Sequence, residues 1–454
     1  MTAQPSEPTA DAATTPSRGA QGVEAGHRPV GVILSWALFD YARTIFSYSI
    51  LAVNVSLWVT QDHGAPVAVY TLAGSASLII IALAAPALGI LSDRSGNRLP
   101  FLAVVTLLMI GGAALLGLTN NLLVGLLFFV VANVGYQSTQ VFYDALLGSV
   151  STPRNRGRIS GLGMAFGYLG TISWGLFTIL YLGRYISPHN HSAAFVPTAL
   201  AVAIFALPCF LFVRERPPAR ETASGQGITS VSVGQTLRSV RRVWTEHRAL
   251  ARFLLARLLY ADAANTVVSF MAVYSVVVIK LTDKEVNIFL PLSATFAVVG
   301  ALGFGQLADR WGPKRVLNVV LALWCVAMTW AALAPAGTIL VGGILVSGKL
   351  LFYAVGPLAG LALGGTRACD RAFLVRVTPP AMIGEAFGLF SLVGDVASIT
   401  GPVILGAVTF LFLRLGQEVL GYRVAILAIV GLLCVGWALL QRASDAVAPP
   451  TEPR

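Results

Sequence analysis

Five ionisable side chains stand inside long apolar stretches of this 454-residue chain: Asp40, Arg43, Asp262, Lys349 and Asp395. A charge held at bilayer depth costs on the order of 3 kcal/mol or more unless it is paired or hydrated, so such residues point to a solute or ion path. Asp40 and Arg43 are three residues apart and can meet on one helix face. Lys349 and Asp395 are expected at similar depth on sequence-adjacent helices, which predicts an ion pair. That pairing leaves Asp262 without a partner. Desolvation favours the protonated form of a lone carboxylate, the property a proton carrier needs.

The elements that must hold these groups are membrane-spanning helices. The chain is 56% hydrophobic and 11% charged, against about 25% charged in an average soluble domain. A bilayer core takes about 20 apolar residues as helix. Runs of that kind predict an all-α polytopic protein with about twelve spans, at 32–59, 67–91, 99–118, 122–148, 159–182, 193–213, 252–279, 287–308, 315–334, 338–366, 384–413 and 421–441. The fourth span adds Asn133, Tyr136, Gln137 and Gln140 to the polar set. On the fifth, Gly163, Gly167 and Gly170 share a face suited to close helix approach. Pro357 and Pro402 are placed to bend the tenth and eleventh.

Lysine and arginine are retained on the cytoplasmic side of a membrane. The loops after even-numbered spans carry Arg94 and Arg98; Arg154, Arg156 and Arg158; a run from Arg214 to Arg252; Arg310, Lys314 and Arg315; and Arg367, Arg371 and Arg376. The opposite loops hold only Arg184, Lys280, Lys284, Arg414 and Arg423, partly offset by Asp283, Glu285 and Glu418. Both termini are therefore expected in the cytoplasm, with a disordered tail at 1–30, a six-helix unit at 31–213, a linker at 214–251, a second six-helix unit at 252–441 and a short tail at 442–454. In the linker, Val233, Leu237, Val240 and Trp244 share one helical face, as in an interfacial helix.

The two units repeat one another. GILSDRSGNR (Gly89 to Arg98) echoes GQLADRWGPKR (Gly305 to Arg315), setting Asp93 against Asp309 and Gly96 against Gly312. FDYARTIFS answers ADAANTVVS, setting Asp40 against Asp262 and Arg43 against Asn265. VSTPRNRGRISGL answers VTPPAMIGEAFGL, setting Gly157 against Gly384 and Arg158 against Glu385. Parallel repeats of six spans, with the substrate bound where they meet, characterise one class of secondary transporter. In the doubled loop the glycines permit a tight turn. Asp93 and Asp309 can accept hydrogen bonds from amides at a neighbouring helix N-terminus, with Arg94, Arg98, Arg310, Lys314 and Arg315 available for charge pairing. Such contacts would latch one end of the molecule in one state and release it in the other. Asp144 and Arg371, at corresponding repeat positions, are expected as further gate charges.

The doubled G-x-L-x-D-R-x-G motif resembles the signature of the major facilitator superfamily, over nearly all the chain after residue 30. SWALFDYA, ANVGYQSTQVFYDALL, RGRISGLGMAFGYLG, GGTRACDRAF and GEAFGLFSLVG are similar to the branch of vacuolar amino-acid effluxers linked to autophagy. The resemblance implies two pseudo-symmetric six-helix bundles, a central cavity lined by spans 1, 4, 7 and 10, and alternating-access export of a small solute such as an amino acid. This chain departs from that branch at Arg43, Arg367, Asp370 and Asp395, which stand where Asn, Gln, Ser and Lys are usual.

Enzymatic readings find little support. All five histidines (His27, His63, His189, His191 and His247) fall in predicted tails or loops, so no buried Ser-His pair or histidine metal site is expected. No GxxxxGK[ST] phosphate loop occurs, which argues against an ATP-driven pump. The net charge of +11 is spread between apolar runs instead of forming one stripe, which argues against nucleic acid as partner. Cys209, Cys325, Cys369 and Cys434 lack metal or disulfide spacing. The expected protein is thus a cofactor-free, metal-free monomer in a prokaryotic inner membrane, whose partners are the lipid bilayer, a small-molecule solute and protons. A drug or metabolite exporter of the same fold, or a non-transporting receptor or scaffold, is the alternative.

Overall fold

The computed structural model describes residues 29–181, 190–215, 233–335, 337–341, 344–397 and 400–443. Nearly all of the expected N-terminal tail, most of the C-terminal tail and the Pro- and Ser/Gly-rich part of the linker lie outside these residues.

The first half comprises α1 (Val30–Phe46), α2 (Val55–Leu57), α3 (Val67–Ser95), α4 (Leu99–Leu116), α5 (Leu122–Ala145), α6 (Leu147–Val150), α7 (Arg156–Leu180) and α8 (Phe195–Phe212). Wider π-helical turns at Ser47–Asn54 and Trp58–Asp62 join α1 and α2 into one long first span. The helix α9 (Val233–Glu246) follows, packed on α3. Among its described side chains Val243 is buried, whereas Val240 and Trp244 are exposed, as on a face left to an interface; those of Val233 and Leu237 lie outside what is described.

The second half comprises α10 (Arg248–Val277), α11 (Asp283–Trp311), α12 (Pro313–Leu333), a hairpin of β1 (Thr338–Val341) and β2 (Ile344–Ser347), α13 (Gly348–Tyr353), α14 (Val355–Val377), α15 (Ile383–Val396), α16 (Thr400–Arg414) and α17 (Glu418–Gln441). The antiparallel hairpin sets Thr338 opposite Ser347 and corrects the tenth span. TILV and ILVS satisfy their backbone as paired strands, so the helix starts ten residues later than 338 and runs on to Val377.

Ten helices among the described residues are long and apolar enough to cross a membrane. Two more segments bring the architecture to twelve: the 25-residue, glycine-rich α7, and α15 with α16, which occupy the place of one eleventh span. The ends follow from local chemistry. Gly96, at φ 68°, closes α3 in a left-handed turn that a side chain would strain. Pro313 opens α12, where its missing N–H costs nothing. Asn121 caps α5 by accepting from the Leu123 and Val124 amides at 3.0 and 3.2 Å.

The halves come together at the end that carries the two Asp-Arg-x-Gly loops. There α3 lies against α15, and α7 against α11. Glycines set the approach, because a Cβ on Gly89 would strike the Gly384 carbonyl and one on Gly157 would strike the Gly305 carbonyl. Each contact thus pairs the motif glycine of one half with the helix-start glycine of the other.

Candidate functional site

Between the halves lies a cavity of about 220 Å³ lined by α1, α5, α7, α10, α14 and α15. Its centre is Arg371 of α14, a cation with two carboxylates from the opposite half. One Nη donates to Asp144 at 2.7 Å, and the other to Asp40 at 3.4 Å. Asp40 also faces Arg43 at 3.4 Å, and Arg43 reaches Gln140 at 3.4 Å. All four ionisable groups are buried. Aromatic faces complete the setting: Trp36 and Tyr143 stack at 4.7 Å, with the Arg371 guanidinium 5.7 and 5.8 Å from their ring centres. Arg43 sits 5.0 Å from the Tyr136 ring.

The second half contributes its own pair. Arg257 of α10 donates to Asp370 at 3.2 Å and to the Phe390 carbonyl at 2.9 Å, while the Tyr260 hydroxyl donates to Asp370 at 2.6 Å. Arg367 also lines the cavity, but it is exposed and forms no hydrogen bond or ion pair with any described residue. The cavity therefore holds four arginines and three aspartates.

Of the expected path residues, Asp40, Arg43, Tyr136, Gln140 and Asn265 line this cavity, whereas Gln137 does not. Three expectations are corrected. Asp262 is turned away and is not partnerless: its Oδ2 accepts from the Gly401 amide at 2.8 Å, at the start of α16. The cause is the separate start of α16, whose first-turn amides have no carbonyl of their own helix to bond. Lys349 is not in the membrane interior. It sits in the first turn of α13 and donates to Glu285 at 2.8 Å, so its partner is not Asp395. Asp395 belongs to α15, and its side chain lies outside what is described. Asp144 and Arg371, expected as gate charges, pair with each other across the halves and line the cavity. Arg367 and Arg371, read as loop charges, belong to α14 for the same reason that the tenth span was misplaced.

Arg257 was missed because it lies close to the predicted start of the seventh span and reads there as a boundary charge. Cys325 and Cys434, far apart in sequence, have their sulfurs 3.7 Å apart as free thiols.

At the motif end, the Asp93 carboxylate accepts from the Gly384 and Glu385 amides at 2.9 and 2.8 Å. Asp309 accepts from the Gly157 and Arg158 amides at 2.6 and 2.8 Å. Each aspartate of one half thus caps a helix N-terminus of the other, where the macrodipole favours negative charge. Around Asp93, Arg98 donates at 2.6 Å, and Glu215 accepts from the Arg98 and Leu99 amides at the start of α4. Burial raises the Glu215 carboxyl above its ordinary value, with Arg98 opposing. Arg242 of α9 reaches Glu385 at 3.3 Å, tying the linker helix to the same cluster. Lys314 donates to the Gln441 and Ala443 carbonyls at 3.1 and 2.6 Å, while Arg94, Arg310 and Arg315 are exposed.

At the far side, the Lys349 hydrogen bond, joined by the Thr282 capping box, brings the Glu285 carboxyl down to about 2. No cluster of three or more metal-ligating side chains occurs among the described residues.

A family model described as Major Facilitator Superfamily matches residues 41–402 and 279–454. The chain belongs to the major facilitator superfamily. Among the relatives of this superfamily member, an uncharacterised MFS-type transporter, YxiO of Bacillus subtilis, is 24% identical over 90% of this chain and 95% of its own length. Autophagy-related protein 22 of Kluyveromyces lactis is 23% identical over 83% of this chain and 74% of its own. For that of Coccidioides immitis the match is 22% and spans 44% of the relative. The fold is shared with the human organic anion transporter MFSD10, at a TM-score of 0.69 and 16% identity over 91% of this chain and 98% of that one. It is also shared with an outward-facing bacterial homologue of the iron transporter ferroportin, at 0.68 and 16% over 92% and 99%. This superfamily member is thus a membrane transport protein and not an enzyme.

Proposed function

We propose that this transporter carries a small solute bearing a carboxylate, an amino acid first among them, by alternating access between its two six-helix halves. The observation that carries the reading is Arg367, exposed to the cavity with no hydrogen bond or ion pair to a described residue, beside an Asp40 whose two guanidinium contacts are both long at 3.4 Å. A guanidinium offers the paired donors that a carboxylate takes, and Asp40 offers an acceptor for an ammonium group. The resemblance of the sequence motifs to the vacuolar amino-acid effluxer branch supports amino-acid export, and the match to autophagy-related protein 22 accords with that branch.

With both Asp93 and Asp309 engaged across the halves, this conformation is read as the one closed at the motif end. The excess of lysine and arginine at the motif end supports placing it, and both termini, in the cytoplasm of a bacterial cell, so that this conformation faces outward. Proton linkage follows from Asp40: a proton on its carboxyl weakens its hold on Arg371 and Arg43 and loosens the contact between halves. Asp40, not Asp262, is therefore the carboxylate assigned to the proton.

Uptake and efflux of a panel of labelled amino acids, organic acids and sugars in proteoliposomes, with and without a pH gradient, test the proposal. Flux of carboxylate-bearing solutes alone, abolished in Arg367→Gln, is expected. Equal flux of a neutral sugar in that variant would remove the substrate assignment.

A further inference from the structure

The two copies of the Asp-Arg-x-Gly loop have different charge surroundings. In the first copy Arg94 is exposed and Arg98 lies between two acids of this chain, Asp93 at 2.6 Å and Glu215 at 3.5 Å. In the second copy the corresponding space is a cavity of about 580 Å³. Arg156, Arg310, Arg315 and Arg376 line it, against the single acid Asp309. That one carboxylate is already committed to the amides of Gly157 and Arg158. None of the four arginines has a salt bridge or hydrogen bond to a described residue, and the Nε of Arg156 is buried without a partner. Arg376 bears on the loop turn itself, its guanidinium resting beside Gly312, which stands at φ 88°.

Four arginines line one concavity against a single acid, a local excess of positive charge that an anion among them would offset. Their planar donors match the oxygens of a phosphate group. The cavity volume falls within the range of about 300–1,000 Å³ typical of ligand pockets, more room than a bare inorganic ion fills. It lies at the ends of spanning helices, and basic pockets between such helix ends take phosphate-bearing headgroups.

We propose that this cavity binds a phosphate-bearing anion, which does for the second loop what Glu215 does for the first. The ligand neutralises Arg310 and Arg376 and holds the Asp309 latch shut. The phosphate belongs either to a phospholipid headgroup or to a soluble phosphate ester, and the test separates the two.

The full-length protein is purified in a neutral detergent and given either mixed micelles of phosphatidylglycerol and phosphatidylcholine or inorganic phosphate. Bound lipid is counted by native mass spectrometry, and phosphate binding is read from the melting midpoint against chloride at equal ionic strength. Phosphatidylglycerol is expected to be retained over phosphatidylcholine, with retention reduced about tenfold in Arg310→Gln/Arg376→Gln, as for loss of charge-assisted bonds. Arg94→Gln, at the first loop, should retain it. A melting shift with phosphate, lost in the same double variant and without lipid selectivity, assigns the soluble source. If the double variant does not purify, Arg376→Gln alone is read in both arms. Binding that is equal in wild type and variant, for lipid and phosphate alike, overturns the proposal. No solute is needed in either arm, so the result is independent of what the central cavity carries.

Discussion

Asp40 and Asp262 occupy equivalent places in the two repeats, four residues before Thr44 and Thr266 respectively, yet they have opposite surroundings. Around Asp40 the neighbouring α7 is one unbroken helix, packed through Gly167 and Gly170 against α1, so it has no free amide there and the carboxylate turns to Arg43 and Arg371. Around Asp262 the equivalent helix starts anew at Thr400, and its Gly401 amide takes the carboxylate. A helix break converts a charge that could face a solute into a cap. The type and spacing of the residues are the same; the continuity of the adjacent backbone decides the role.

The widest separation between the two regions is expected from Arg371→Gln. Leaving the buried Asp40 and Asp144 without their shared cation costs about 3–5 kcal/mol, so proteoliposome transport should vanish and the melting midpoint should fall. Asp40→Asn is next. It keeps the shape, and flux should drop about a hundredfold with loss of the pH dependence, as expected when a group acting in the proton step is removed. Unchanged pH-dependent flux in that variant would return the proton role to another residue.

On the other side of the comparison, Asp262→Asn should keep its flux within about twofold while losing about 1 kcal/mol of stability, the scale of a lost helix cap. A transport defect without a melting change would erase the distinction between the two aspartates. The smallest effect belongs to Lys349→Gln. The Glu285 carboxyl lies at about 2 in the folded protein against an ordinary 4.5, so the pair's contribution is fully present above that ordinary value and is lost only as pH falls towards 2. Flux between about pH 5 and 8 should therefore not depend on this pair, as a comparison of pH profiles would check.

Much of the architecture was legible because hydropathy and the doubled loop are local signals. Asp93 and Asp309 could be read as acceptors for a helix start, since an aspartate repeated in the same G-x-L-x-D-R-x-G setting has few other roles at a helix end. The tenth span was not legible. An apolar hairpin and an apolar helix have the same hydropathy, so residues 338–347 drew the span towards the wrong end, placed Lys349 too deep and pushed Arg367 and Arg371 out to a loop. Asp370 appeared only as a departure from a family pattern. Its tie to Arg257 joins α14 to α10 across more than a hundred residues, and no periodicity carries such a contact.

The crossed arrangement of Asp93 and Asp309 has a consequence for how the closed end comes apart. Both carboxylates bridge the same two bodies, so whichever bond forms first raises the effective concentration of the other, as in a bivalent ligand. Loss of either alone leaves a tethered partner that quickly rebinds; separation demands that both be undone within one excursion. In the proposed cycle the pair would act as an avidity device, in which two individually modest contacts set a sharp threshold between shut and open.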